Sequence, residues 1–239
     1  CRANQNHGIS IEHYSWHNTI ADNTCQGNAK GIVAETGWIA HNDIVGNACC
    51  DNMAGIMLTS SCHFNNVVSN VISMNTSTGL YLLAGAHDNN IVGNIFVNND
   101  AGPPANNPNI LIDENCDRNY ICANFFRAGE EVNKPTYAIV IKAATCEDNV
   151  IINNDLYDDG YITGVILDNG AGTIINDNRG NVGHYQTADY GAAWVNWVAN
   201  IVGVARNGTR CIFYNSNAGE LNSRLGCYSN GAWHYTTLT

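Results

Sequence analysis

The hydrophobic and polar positions repeat in a hexamer, Asn-x-aliphatic-x-x-Asn, seen cleanly in Asn89-Asn90-Ile91-Val92-Gly93-Asn94. Copies begin at Asn18, Asn42, Asn65, Asn89, Asn119 and Asn149, and at Thr173 with Thr in the first place. They end at Asn23, Asn47, Asn70, Asn94, Asn124, Asn154 and Asn178. Successive starts are separated by 24, 23, 24, 30, 30 and 24 residues. A period in this range marks a stacked repeat rather than a conventional globular fold.

A second pattern keeps phase with the first. Ahead of each hexamer a small residue opens an apolar alternation, as in Gly8-Ile9-Ser10-Ile11, Gly31-Ile32-Val33-Ala34, Gly55-Ile56-Met57-Leu58, Gly79-Leu80-Tyr81-Leu82 and Gly164-Val165-Ile166-Leu167. Period-two alternation predicts short strands, and no segment carries a helical period. One such coil cannot bury its own apolar side, but stacked coils bury it against one another. The terminal Asn of each hexamer is expected to form an internal ladder at a bend.

These repeats resemble those of the pectin-lyase-like superfamily, which includes polysaccharide lyases, hydrolases, epimerases and phage tailspikes. The resemblance covers about residues 1–180 and implies an all-β fold: a right-handed parallel β-helix of about seven coils. It does not fix an activity, because one fold hosts many functions. Residues 181–200 read as a linker, and 201–239 as a small C-terminal β-hairpin module similar to those that close phage tail proteins.

Composition narrows the function classes. The formal net charge is −11 and only 13% of residues are charged, which argues against nucleic acid or an anionic membrane as partner. Cys1 falls in register with Cys25 and Cys49, so the chain is expected to be an N-terminally truncated fragment. A mature lipoprotein also begins with Cys, but a flexible tether would normally follow. Cys1, Cys25 and Cys49 share a column with Ile72, Phe96, Phe126 and Leu156, and Cys62, Cys116 and Cys146 share one with Ile39 and Ala86. Both columns are expected to be core, with free thiols rather than a metal or disulfide framework. Cys211 and Cys227 lie outside the repeat, where a hairpin would allow them to pair. No metal and no cofactor are expected.

Two coils carry insertions, 99–108 and 127–137, and the next coil holds 155–161. All three leave at one corner and should be neighbours, which makes them candidate binding loops. Cleavage of a polysaccharide by hydrolysis needs paired carboxylates, and elimination or epimerisation needs a base and a cation beside the uronate. The candidate catalytic residues are Glu130, Glu131, Asp158 and Asp159. The candidate substrate-binding residues are Tyr137 and Tyr161 as sugar platforms, with Lys134 and Arg127 as cations. The surrounding motifs of polygalacturonases, pectate lyases and alginate epimerases are missing, although His87-Asp88 approaches the His-Asp element of the epimerases. His7, His13 and His17 read as surface residues.

If the first aliphatic of each early strand points inward, Val33, Met57, Tyr81, Leu111, Val140 and Ile166 point outward as an apolar stripe. The stripe is expected to be covered in a homotrimer or by the C-terminal segment of the same chain. Two positions on, Glu12, Glu35, Thr59, Leu83, Asp113, Lys142 and Asp168 would rim it. The reading is a structural, glycan-binding shaft of an extracellular or virion-surface protein, with a polysaccharide or cell-surface glycan as partner. The alternatives are a polysaccharide lyase, glycoside hydrolase or epimerase, and an extracellular filament or surface-layer subunit.

Overall fold

A computed structural model describes residues 1–59, 61–102, 106–156 and 160–180, together with the backbone of four later strands. About seven coils stack in parallel. One sheet runs through His7–Glu12, Lys30–Glu35, Ala54–Leu58, Leu80–Leu82, Ile110–Ile112, Ile139–Ile141, Ile166–Asp168 and Tyr185–Thr187. A second runs from Thr19–Ala21 to Ile174–Asn176 and carries the hexamer aliphatics. A third runs from Thr24–Gln26 to Arg179–Gly180. The first compact unit spans Cys1–Ala188, so pairing of Tyr185–Thr187 with Ile166–Asp168 carries the stack past residue 180. In the second unit, Arg210–Phe213, Arg224–Ser229 and Ala232–Thr237 form an antiparallel three-stranded sheet. There Cys211 pairs with Gly226 and Cys227 with Arg210 along the backbone.

Register places like residues in columns. Ile44, Val67, Ile91, Ile121 and Ile151 stack along the second sheet and are buried. In the third sheet Cys25, Cys49, Ile72, Phe96 and Phe126 stack, with the two phenyl rings parallel at 4.9 Å. Cys62, Cys116 and Cys146 are buried beside Ala86, and all eight described cysteines are free. The strand-opening glycines have a steric reason. A Cβ on Gly55 would lie 2.4 Å from the Gly79 carbonyl oxygen and 2.6 Å from Ile72 Cγ2.

Three asparagine ladders hold the corners. Both ends of the hexamer form one each, and Asn4, Asn28, Asn52, Asn75 and Asn99 form a third that the hexamer pattern does not contain. Asn70 shows the unit. Its Oδ1 accepts from Asn47 N at 2.8 Å and Asn47 Nδ2 at 3.0 Å, while its Nδ2 donates to Ile44 O at 2.8 Å and Asn94 Oδ1 at 3.0 Å. The residue before each ladder Asn turns the chain with positive φ, as at His41, Ser69 and Asp51, and the amides satisfy the carbonyls this bend exposes.

The outward stripe needs one correction. Ile166 pairs with Ile139 and is fully buried, so Leu167 follows Val140 in the outward column. The Val165 carbonyl accepts from both Ala138 N and Ile139 N, absorbing one extra residue and shifting the register. Asp168 consequently lies beside the buried Ile141 instead of in the charged rim, where Asn169 takes its place behind Lys142. Val33 and Val140 are also buried, whereas Met57, Tyr81, Leu111 and Leu167 are half-buried.

Candidate functional site

The insertion loops do meet at one corner. Asn133 Nδ2 donates to Ala101 O at 3.1 Å, Thr136 N to Asn107 O at 2.9 Å, and Ile162 N to Pro135 O at 3.2 Å. Glu130 and Glu131 are exposed there, while Asp158 and Asp159 lie outside the described residues. Arg127 pairs with Asp155 at 3.2 Å, and its guanidinium carbon sits 3.6 Å from the Phe125 ring centroid. Lys134 is half-buried beside Gly160. Tyr137 and Tyr161 face the interior, 8% and 7% exposed, and Tyr161 Oη accepts from Asn109 Nδ2 at 3.0 Å. In this conformation neither ring offers an open face to a sugar.

A different corner gathers more chemistry. The residues ahead of each hexamer form a corner that repeats once per coil: Trp16 and His17, His41 beside the buried Ala40, His63 and Phe64, His87 and Asp88, Asp117 and Arg118. The positive-φ turn at His17, His41, Phe64, Asp88 and Arg118 repeats the projection. His17 stacks on His41 at 5.3 Å, and His41 on Phe64 at 5.3 Å. Alongside, Trp38 meets His63 edge-on at 5.9 Å, and His63 stacks on His87 at 5.1 Å. Trp38, Trp16 and Phe64 are 62%, 51% and 48% exposed, and Tyr14 packs edge-on to Trp16. The result is a strip of rings, one rung apart, over four coils.

The strip ends in a charged cluster. Arg118 Nε and Nη2 each donate to Asp88 at 2.8 Å, and His87 Nδ1 lies 2.7 Å from Asp88 Oδ2. The guanidinium, and after it His87, holds the Asp88 carboxyl below the usual carboxylate range against the opposing effect of burial. Farther along stand Asp117, Glu147 and Asp148. His63 Nδ1 lies 2.8 Å from Ser61 O. A carbonyl only accepts, so Nδ1 of His63 carries hydrogen and Nε2 is the atom that gains a second proton. The carboxylate sets the same tautomer in His87. Face-stacked imidazoles aim their lone pairs sideways, not at a common point. Among the described residues no three His, Cys, Asp or Glu side chains converge as metal ligands.

Sequence reasoning singled out His17 and His87-Asp88 but passed over His41, His63, Trp16, Trp38, Phe64 and Arg118. The signal was available: positions 17, 41, 64, 88 and 118 advance with the hexamer itself.

Residues 1–107 match the family described as periplasmic copper-binding protein (NosD). No curated protein matches the chain. A single-substitution mutant of the periplasmic alginate epimerase AlgG superposes with TM-score 0.58 at 18% identity, over 75% of this chain and 44% of that one. The unsubstituted AlgG structure gives 0.51 at 17%, over 73% and 47%. The chain has the parallel β-helix fold of the pectin-lyase-like proteins. It spans less than half the length of the epimerase structures it matches, and at this identity the likeness concerns the fold alone. No helix among the described residues of this β-helix is long and apolar enough to cross a membrane.

Proposed function

We propose that this β-helix binds glycans along the ring strip of coils one to four, outside the cytoplasm. The carrying observation is the exposure of Trp16, Trp38 and Phe64 on one corner, in register with four imidazoles. Large apolar side chains on a solvent-facing corner mark a binding surface. Flat rings stack on the C–H faces of pyranoses, while imidazole and carboxylate groups alongside hydrogen-bond the hydroxyls. A parallel stack repeats about every 4.8 Å, so the strip offers successive sugars equivalent contacts. The matching family and structural neighbours are described as periplasmic, which favours a periplasmic or extracellular setting over a virion. Trp38→Ala should weaken glycan binding at least about tenfold by calorimetry, with an unchanged circular dichroism spectrum. Undiminished affinity in that variant overturns the reading.

The second reading is a polysaccharide-acting enzyme, and the cluster at His87 favours it. A proton-abstracting imidazole oriented by a carboxylate, beside a guanidinium, suits chemistry at a uronate. The epimerase named among the structural neighbours acts on alginate. Incubation with polyuronate, followed by proton NMR for epimerised or unsaturated residues, tests this. Turnover that disappears in His87→Ala supports the enzyme, and no turnover in the wild type removes it. Glu130, Glu131, Asp158 and Asp159 are the hydrolytic alternative, which neutral-glycan cleavage would report.

A further inference from the structure

We infer that the strip selects acidic glycans, and that His63 and His87 read the acid group through protonated Nε2 atoms. The inference rests on the glycan-binding reading and adds the substrate class and its control by protons. The two rings are stacked at 5.1 Å with 10° between their planes, and each spends Nδ1 on a fixed acceptor, Ser61 O or Asp88. Both therefore take a second proton at Nε2, one rung apart. An anionic polymer with one carboxylate or sulfate per sugar presents charge at a comparable interval.

Rings, one backbone carbonyl and one already matched carboxylate face these two imidazoles. His63 faces Trp38, Phe64 and His87, all rings, with the Ser61 carbonyl at Nδ1. His87 faces His63 and Asp88, and Asp88 is already matched by the two donors of Arg118. Asp117 stands beside Arg118 on the next coil. His17 and His41 face each other, Trp16 neighbours His17 in the chain, Phe64 stacks on His41, and Asp43 lies two residues beyond His41 and holds Asn66. Elsewhere the chain is acidic, at formal net charge −11, so a polyanion gains on this strip what most of the surface denies it. Imidazole is the side chain that changes charge between about pH 5 and 8. Adjacent protonated rings repel, and a bound anion relieves that repulsion, so binding should draw protons in.

Galacturonate oligomers and neutral cello-oligomers are titrated into the full chain by calorimetry, at about pH 7.5 and about pH 5.5 and in buffers of different ionisation enthalpy. The expected result is galacturonate binding at least about tenfold tighter at the lower pH, with net proton uptake, and a flat response to the neutral glycan. His63→Gln with His87→Gln should abolish the pH response. His63→Arg with His87→Arg, permanently charged, should bind galacturonate alike at both values. An equal galacturonate affinity at both values in the wild type, or a pH response that survives in the glutamine pair, overturns the inference and leaves the glycan strip standing. Absence of binding by either glycan at both values removes the strip and the inference together.

Discussion

Asn109 donates its side-chain amide to the phenolic oxygen of Tyr161 at 3.0 Å, and Asn99 donates to Asn109 at 2.8 Å. The third asparagine ladder thus ends on a tyrosine. The following coil carries Arg127-Ala128-Gly129 at that corner, with no Asn to continue the series. Asn109 is fully buried, so an amide hydrogen without an acceptor there costs more than the bond itself contributes. Tyr161→Phe should lower stability by about 1–2 kcal/mol, read as a smaller urea midpoint at constant m-value. An unchanged midpoint would show that the ladder does not depend on its last member.

The interior of a ladder should be more sensitive. Removing the Asn70 amide takes the acceptor from Asn47 N and a donor each from Ile44 O and Asn94 Oδ1, the last of which keeps only Asn70 N. All three sit in the buried second corner, and Asn70 itself is fully buried. Asn70→Ala is expected to cost about 2–4 kcal/mol. Asp at the same position keeps the acceptor but loses the two donated bonds and buries a charge, so Asn70→Asp should be at least as damaging. Thermal melts of the two variants check the order.

Gly55 tests packing rather than hydrogen bonding. A methyl group there would collide with the Gly79 carbonyl and with Ile72, both fixed by neighbouring coils. Gly55→Ala should destabilise by about 1–3 kcal/mol, although alanine suits most strand sites better than glycine. A stable variant would mean that the coils slide apart more easily than their register implies.

The fold was legible because the features that build it repeat. The hexamer aliphatics and their bounding Asn gave the strands, corners and internal ladders, and the Cys25–Cys49 spacing gave a core column, although Cys1, expected in that column, is exposed. The third ladder escaped notice because Asn28, Asn52, Asn75 and Asn99 lie outside the hexamer, although they share its period. The slip at Ile166 has another cause. Gly164-Val165-Ile166-Leu167 has the same pattern as Gly79-Leu80-Tyr81-Leu82, and only the shared carbonyl of Val165 distinguishes the registers. The ring strip was missed because period-two reasoning looks at strand faces, whereas His41, Phe64 and Asp88 project from positive-φ corner positions between strands.

The Asp88–Arg118 pair should give the protein a mild acid sensitivity. Its carboxyl titrates below that of an unfolded Asp, about 3.9, so the pair stabilises the fold above that value and the contribution fades as pH falls through the folded one. Arg118 is half exposed, which limits the pair to about 0.5–1 kcal/mol at neutral pH. Arg118→Ala should therefore lose that amount at pH 7 and progressively less as pH falls through the folded value, measured by urea unfolding across the acid range.

Asp168 should behave in the opposite sense. Its carboxylate lies in the column behind the buried Ile141, where burial raises its affinity for a proton despite bonds from Gly170 N at 2.9 Å and Thr173 Oγ1 at 3.2 Å. A carboxyl whose folded pKa is raised contributes most below the unfolded value of about 3.9, and that contribution is lost as pH rises through the folded pKa. At neutral pH the charged group opposes folding. Asp168→Asn keeps an oxygen for Gly170 and Thr173 while removing the charge, so it should raise Tm at pH 7 and leave it nearly unchanged at acid pH. The gap between variant and wild type should open as pH rises from the unfolded value through the folded one and then level off. A variant less stable than wild type at pH 7 would mean that Oδ2 holds a bond that an amide cannot replace, and that the carboxylate at this end of the stack is stabilising after all.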